Sequence, residues 1–369
     1  MKKHLIAAAV AGAFAVPAMA QNVTVFGVAD IGYRDAKWTD AGAARAKASG
    51  VADGAMAGNR FGFRGSEDLG GGLKANFHIE HGISLVSNAL TDQRQGSSSL
   101  PVALNLADSG RTAAVNRQSW AGLSGGFGEI RLGFQYTALY EVSSLAGFNL
   151  GSEGIHGADA AHTMGGIAGG TRANGITYAS PVINGIQAFV QYGGAGDQNT
   201  YATTGASAGY DVNRTSVRVK YQAGPLHVQV AQSNLSTKAS AAGSMTFGAA
   251  TKALLTQLGA SYNLGFATVA GTYGMGKPTK GTDENTGWQL GVRVPVGAMA
   301  VIATTGNYEV ETTANVKTTD VSQTQVGVQY ALSKRTTAYI YSGQTKDKGT
   351  AATAVDKKSA TIVGVLHSF

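Results

Sequence analysis

The sequence predicts an all-β fold: a closed antiparallel barrel of 16 strands that crosses a membrane. Three observations carry that reading. Apolar and polar side chains alternate with period two, the strand signature. Ile130, Leu132, Phe134 and Tyr136 point one way, and Arg131, Gly133 and Gln135 the other. Short turns alternate with long polar connections. An export segment opens the chain, and no later stretch is a long uninterrupted apolar run.

The N-terminus sets the compartment. Lys2 and Lys3 form a positive region, Leu5 to Val16 an apolar one, and Ala18-Met19-Ala20 a small-x-small cleavage site. This pattern reads as a removed signal peptide over residues 1–20. A membrane anchor is excluded because a spanning helix needs about 20 apolar residues. The remainder, 21–369, reads as one barrel domain with no internal boundary.

The connections give the strand count. Short turns are read at Leu69–Gly72, Ser124–Gly128, Pro181–Gly185, Ala223–Pro225, Asn263–Gly265, Pro295–Gly297 and Leu332–Lys334. Long stretches rich in Gly, Ala, Ser and Thr lie near 35–58, 85–110, 137–172, 194–211, 236–250, 277–285, 310–318 and 345–356. Seven short and eight long connections separate 16 strands. An outer-membrane barrel needs this pattern: short turns at one rim, long loops at the other and an even strand count. No backbone N–H or C=O goes unpaired in lipid, so an open sheet edge is excluded. The last strand, 357–369, must therefore pair with the first, Val23–Tyr33. Thr361, Val363, Val365, His367 and Phe369 share its outward face, while Ile362 and Leu366 make the inner face less polar than a pore wall would be.

Composition agrees. Hydrophobic residues make up 43%, yet mean hydropathy is −0.03, so apolar residues are interleaved with polar ones. The 52 glycines suit turns and poorly suit helices, and there is no cysteine. The chain has 29 basic and 22 acidic residues; loss of Lys2 and Lys3 leaves 27 basic residues and a net charge of +5. The basic residues are scattered singly rather than in runs, which excludes a nucleic-acid interface. Aromatic residues at predicted strand ends, among them Phe26, Tyr33, Phe63, Trp120, Tyr178, Tyr192, Tyr262 and Tyr330, read as girdles at the two membrane interfaces.

Several stretches then carry a resemblance. Asn22-Val23-Thr24-Val25-Phe26-Gly27 is followed by Asn59-Arg60-Phe61-Gly62-Phe63-Arg64-Gly65-Ser66-Glu67-Asp68-Leu69-Gly70. Next come Arg117-Gln118-Ser119-Trp120-Ala121-Gly122-Leu123 and Gly128-Glu129-Ile130-Arg131-Leu132-Gly133, and the chain ends Val363-Gly364-Val365-Leu366-His367-Ser368-Phe369. In this order they resemble the general porins of Gram-negative bacteria, the β-proteobacterial type above all. The resemblance implies a homotrimeric outer-membrane pore for ions and small hydrophilic solutes, surrounded by outer-membrane lipids and lipopolysaccharide. It also implies a third loop folded inward to make a constriction. Phe369 looks like the signal that such proteins present to the barrel-assembly machinery. No cofactor is implied.

Strand parity nominates the constriction. Arg60 and Arg64 lie opposite Phe61 and Phe63, Arg131 opposite Ile130 and Leu132, and Lys74 opposite Leu73 and Ala75. Arg117 belongs to the same set, and Arg172 closes the third loop. A lipid-facing Arg or Lys at mid-bilayer costs about 2–4 kcal/mol, so these residues are expected to face water. The acids of the third loop, Glu141, Glu153 and Asp159, are expected to oppose them. Acids and bases across a narrow aqueous gap select ions by sign; the basic excess predicts mild anion preference. The Pro-Glu-Phe-Gly stretch of enterobacterial third loops is absent, replaced by Met164-Gly165-Gly166-Ile167-Ala168-Gly169-Gly170.

Other signals are set aside. Gly274-Met275-Gly276-Lys277 lacks phosphate-loop spacing. Alternation puts His78 and Glu80 on one face and His81 on the other, which excludes a metal site there. Ser152, Glu153 and His156 make a poor hydrolytic group, so no enzyme is expected. A substrate-specific channel is the nearest alternative. It would line the pore with aromatic residues, whereas most aromatics here fall on the lipid parity.

Overall fold

The computed structural model describes residues 23–39, 46–53, 56–86, 89–90, 117–146, 172–193, 210–239, 251–278, 284–312, 314–349 and 357–369. The strands are β1 (Thr24–Thr39), β2 (Ala46–Asp53), β3 (Arg60–Gly70), β4 (Leu73–Ser84), β5 (Ala89–Leu90), β6 (Gln118–Gly125), β7 (Gly128–Tyr136), β8 (Arg172–Ala179) and β9 (Ile186–Gly193). They continue with β10 (Tyr210–Ala223), β11 (Leu226–Ala239), β12 (Thr251–Asn263), β13 (Thr268–Pro278), β14 (Glu284–Val296) and β15 (Met299–Glu311). The last three are β16 (Lys317–Ala331), β17 (Thr336–Asp347) and β18 (Lys357–Ser368). A short helix, α1 (Ala138–Ser143), follows β7.

These strands build 16 staves. β2 and β3 both pair with β1, β2 along residues 31–38 and β3 along residues 24–28, so they are one stave interrupted between Asp53 and Arg60. β5 pairs only with the end of β4, outside the ring. Every other strand pairs antiparallel with its sequence neighbours, and β18 closes the ring on β1, with Val28 opposite Ser368 and Thr39 opposite Lys357. The closure extends to the chain end: the Phe369 N–H donates to the Gly27 carbonyl at 3.1 Å, and the Gly27 N–H to the Phe369 carbonyl at 3.0 Å. Among the described strands of the ring, no sheet edge is left to lipid.

All seven expected short turns are present, joining β3–β4, β6–β7, β8–β9, β10–β11, β12–β13, β14–β15 and β16–β17. Glycine is needed where the chain turns left-handed, as at Gly72 (φ 81°) and Gly185 (φ 80°), which other residues rarely adopt. Parity also holds. Leu132, Ile176, Leu258, Leu290, Val326 and Val363 are exposed on the outer face, while Gln135, Thr177, Gln257, Gln289, Gln325 and Ile362 face inward and are buried. Inward residues crowd a concave wall; outward ones are bare until lipid covers them.

Two further expectations are corrected. The stretch 35–58 is not mainly a loop. β1 runs on to Thr39, and β2 pairs with it in register from Ile31↔Asp53 to Trp38↔Ala46. The apolar alternation fades there because a ribbon outside the hydrocarbon has no lipid face to satisfy. Second, Phe26 and Trp120 are not girdle residues. Both turn inward, flanking the His78 ring at centroid distances of 5.2 and 5.8 Å. Ring type alone does not reveal a side; Trp120 shares its parity with Gly122 and Ser124, opposite the exposed Ala121 and Leu123.

The less polar inner face of β18 has a cause. Ile362 packs with Ala36, Ala270, Ile302, Tyr339, Tyr341 and Ala360, and Met56 and Leu366 lean on this cluster. Met56 reaches it because the interruption between β2 and β3 is tied inward. The Asp30 carboxylate accepts the Met56 and Ala57 N–H groups, each at 2.8 Å, and the Tyr339 hydroxyl at 2.6 Å. Asn59 accepts the Asp30 N–H at 2.5 Å and donates to Asp53 at 2.8 Å, and Asp53 takes the Ser84 hydroxyl at 2.6 Å.

Candidate functional site

The inward face of β3–β10 gathers most of the residues that parity nominates. Arg60 lies opposite Gly82, and Arg64 opposite His78, on the inner face. The Arg64 guanidinium sits 5.2 Å from the Phe26 ring centroid. Lys74 is opposite Asp68 on one side and Ser124 on the other, at the short-turn rim. Arg117 is buried; its Nε donates to Glu80 Oε1 and its Nη2 to the Tyr136 hydroxyl at 3.3 Å. Glu80 also meets His78 Nε2 at 3.2 Å. Arg172 is buried, 4.8 Å above the Tyr136 ring centroid, with Nη2 3.4 Å from the same hydroxyl. Arg117 and Arg172 therefore converge on Tyr136, with Glu80 behind. Arg131 lies 4.7 Å over Trp120 and pairs with Glu129 at 2.5 Å.

The start of the third loop enters this lumen. Thr137 caps α1 by accepting the Tyr140 N–H at 3.3 Å, which satisfies an otherwise orphaned donor of the first turn. Ala138, Leu139 and Val142 bury their side chains against Ala231, Leu255 and Tyr308, inward residues of β11, β12 and β15. Leu139 and Val142 are 1% and 0% exposed. The six-residue helix is too short to persist alone, so this contact fixes it. The Gly259 backbone gives room: a Cβ there would press on the Val142 carbonyl at 3.0 Å. Tyr140 stacks on Tyr136 at 4.8 Å, and burial pushes its hydroxyl pKa above the ordinary value.

Of the three expected loop acids, Glu141 is placed. It lies 3.9 Å from Arg218 Nη1. Glu153 and Asp159 lie outside the described residues, as do the Met164–Gly170 stretch and the signal segment. Parity applied to β10 would have found what the sequence reading missed. Arg214, Arg218 and Lys220 alternate with Val217 and Val219 and face inward, next to Gln229 and His227 of β11. The Arg218 Cζ lies over the Phe189 ring, 3.7 Å from its centroid, and Nη1 donates to Gln229 Oε1 at 2.5 Å. Between α1 and this wall lies a cavity of about 500 Å³, lined among others by Arg131, Glu141, Arg218, Lys220 and His227. Among the described residues no group of histidine, cysteine and acid side chains could hold a metal ion.

Paired charges line a wall, and a helix stands off it.

Comparisons with known proteins agree with this geometry. The Gram-negative porin family matches residues 7–350. Outer membrane porin protein 32 of Delftia acidovorans is 29% identical, with 99% of this chain and 95% of that protein covered. An outer membrane porin protein of Bordetella pertussis is 27% identical, with both chains fully covered. Among solved structures, the anion-selective porin from Comamonas acidovorans superposes with a TM-score of 0.70 at 24% identity, over 95% of this chain and all of that one. Salmonella typhi OmpF, in complex with daunomycin, gives 0.63 at 16% identity, over 94% and 97%. A 16-stave ring closed by its last strand, hydrophobic outside and charged within, thus coincides with a family match over nearly the whole chain: the protein belongs to the Gram-negative porins and is an outer-membrane β-barrel.

Proposed function

We propose that the chain is a general-diffusion porin, a homotrimer that passes ions and small hydrophilic solutes passively and mildly prefers anions. The observation that carries this reading is the excess of basic side chains on the inner wall. Arg60, Arg64, Arg117, Arg131, Arg172 and Lys74 form the proposed basic face of the constriction, joined by Arg214, Arg218 and Lys220 of β10. Among the described residues the carboxylates nearby are fewer: Glu80 with Arg117 and His78, Glu129 with Arg131, Glu141 near Arg218, and Asp68 opposite Lys74. A wall of one sign raises the local concentration of the opposite ion. The structural neighbour named as anion-selective supports the same direction. Glu141 is the proposed acid of the constriction, with Glu153 and Asp159 proposed from the sequence alone. No catalytic role is proposed.

General diffusion is supported by the aromatic distribution. Tyr33, Phe63, Tyr178, Tyr192, Tyr262, Tyr273 and Tyr330 stand exposed on the outer face, and the inner Tyr339 and Tyr341 are sealed in the Ile362 cluster, 3% and 0% exposed. Phe26, Trp120, Tyr136 and Phe189 also face the lumen, but each lies against an arginine guanidinium, so among the described residues they do not form an open aromatic slide for a neutral sugar. Uptake of neutral sugars into liposomes carrying the protein should fall smoothly with solute size, and conductance should appear in groups of three equal steps. A saturable rate for one neutral sugar would contradict general diffusion, and single isolated steps would contradict the trimer.

A further inference from the structure

The cavity beside α1 is built more specifically than a diffusion path requires. Arg218 is the reason. Its side chain is nine-tenths buried, at 9% exposure, and its Cζ lies over the Phe189 ring, 3.7 Å from the centroid. One amino group is held by Gln229 at 2.5 Å, and Glu141 stands off at 3.9 Å, beyond hydrogen-bond reach. The Arg218 Nε has no hydrogen-bond partner among the described residues, and the same is true of the Arg131 Nε. A planar guanidinium immobilised on a ring presents its remaining donors in a fixed fork, the geometry that suits carboxylate and phosphate oxygens. Those two Nε atoms are closed off from solvent, so an oxyanion in the cavity meets the amino groups of Arg218 and the ammonium of Lys220 instead.

The charge around the cavity limits the ligand. Arg131, Arg218 and Lys220 supply three cations, and Glu141 is the one carboxylate of the lining among the described residues. Arg131 is already held by Glu129 at 2.5 Å, which leaves Arg218 and Lys220 as the two lining cations without a carboxylate in hydrogen-bond reach among the described residues, a number that a dianion matches. The rest of the lining sets the body of the ligand. Gln187, Gln229, Ser144 and Ser261 offer amide and hydroxyl groups. The Phe189 face is already covered by Arg218, so that ring is no platform for an apolar body. A volume of about 500 Å³ lies in the range of small-molecule sites and far exceeds a bare tetrahedral ion.

We propose that this cavity is a retention site for dianionic phosphomonoesters of small polyhydroxy compounds. The phosphate sits on Arg218 and Lys220, and the hydroxyls reach Gln187, Gln229 and the two serines. A phosphomonoester carries about −1.5 to −2 charge near pH 7, which matches the wall. The site deepens the pore reading and rests on it: a solute leaving bulk water pauses here, and while it does so it impedes chloride passing the same stretch of lumen.

The test is a planar-bilayer recording of the whole protein in KCl of about 0.1 M, where charges separated by more than about 10 Å are screened. Glucose 6-phosphate is added at about pH 8, above its second pKa of about 6, with glucose and sulfate as separate arms. The chloride current should fall saturably with glucose 6-phosphate. Glucose should leave it unchanged, and sulfate should need at least about tenfold more for the same effect. Lys220→Gln and Arg218→Gln should each raise the half-blocking concentration about tenfold, the loss of one charge-assisted contact, while Lys334→Gln in the β16–β17 turn should not. Unheated gels confirm that each variant is a folded barrel; if Arg218→Gln is not, Lys220→Gln decides. A current that responds only linearly overturns the site. So does equal block by sulfate, or half-block unchanged in Lys220→Gln. No chloride conductance at all overturns the pore reading beneath it, a separate and recognisable outcome.

Discussion

Asp30 sets the tightest local arrangement in the described barrel wall. It is wholly buried on the inner face of β1 and accepts three hydrogen bonds, two from the Met56–Ala57 backbone and one from Tyr339. Asp30→Ala leaves three donors without an acceptor in a confined space, at about 1–3 kcal/mol each. The folded barrel should therefore give way at a clearly lower temperature on semi-native gels. Tyr339→Phe removes one bond and should cost about 1 kcal/mol. Equal effects of the two would contradict the shared anchor. Glu80 offers a second residue-level prediction. It holds Arg117 and His78, so Glu80→Gln should leave Arg117 uncompensated and move the reversal potential further toward chloride. A shift toward potassium would count against Arg117 as part of the basic wall. Parity made Arg117 legible as a lumen residue. The partner Tyr339, 309 residues from Asp30, was not legible, because no local pattern encodes a contact across three staves.

At the level of elements, α1 narrows the lumen by packing rather than by propensity. Leu139 and Val142 dock on Ala231, Leu255 and Tyr308. Val142→Asp would bury an unpaired carboxylate there, which is far costlier than releasing a short helix. The variant should show a larger single-channel conductance and noisier open states; unchanged conductance would mean that α1 does not narrow the path. Thr137→Ala should act in the same direction and more weakly, since a lost N-cap costs about 1 kcal/mol. Elements were legible where chemistry is local. Six of the seven turns announced themselves by glycine, proline or asparagine, Leu332–Lys334 having none of the three, and the spanning segments by alternation against lipid. β2 and the upper half of β1 were not legible, because a ribbon with water on both faces needs no alternation. Arg218 and Lys220 carried the same parity signal as Arg60 and Arg64 and were passed over only for lack of a familiar flanking motif. The loop acids depend on tertiary docking, and only Glu141 among them is placed.

For the molecule as a whole, closure and charge are two consequences of one sequence period. The alternation that turns valine and leucine to lipid turns arginine to the lumen, and pairing of β18 with β1 seals the ring. Phe369 completes that seam through two backbone hydrogen bonds with Gly27 and packs its ring on the glycine, where a Cβ would collide with it. Gly27→Val should therefore disturb the seam as much as deletion of Phe369 does. Both variants should accumulate as heat-sensitive, incompletely folded chain in isolated membranes, and normal yields of either would refute the seam as the point of closure. The basic inner wall is the central functional claim. Reversal potential across a planar bilayer under a KCl gradient measures it most directly. A potential of the sign set by chloride, weakening as salt rises, is the predicted result; a potential of the sign set by potassium would contradict it.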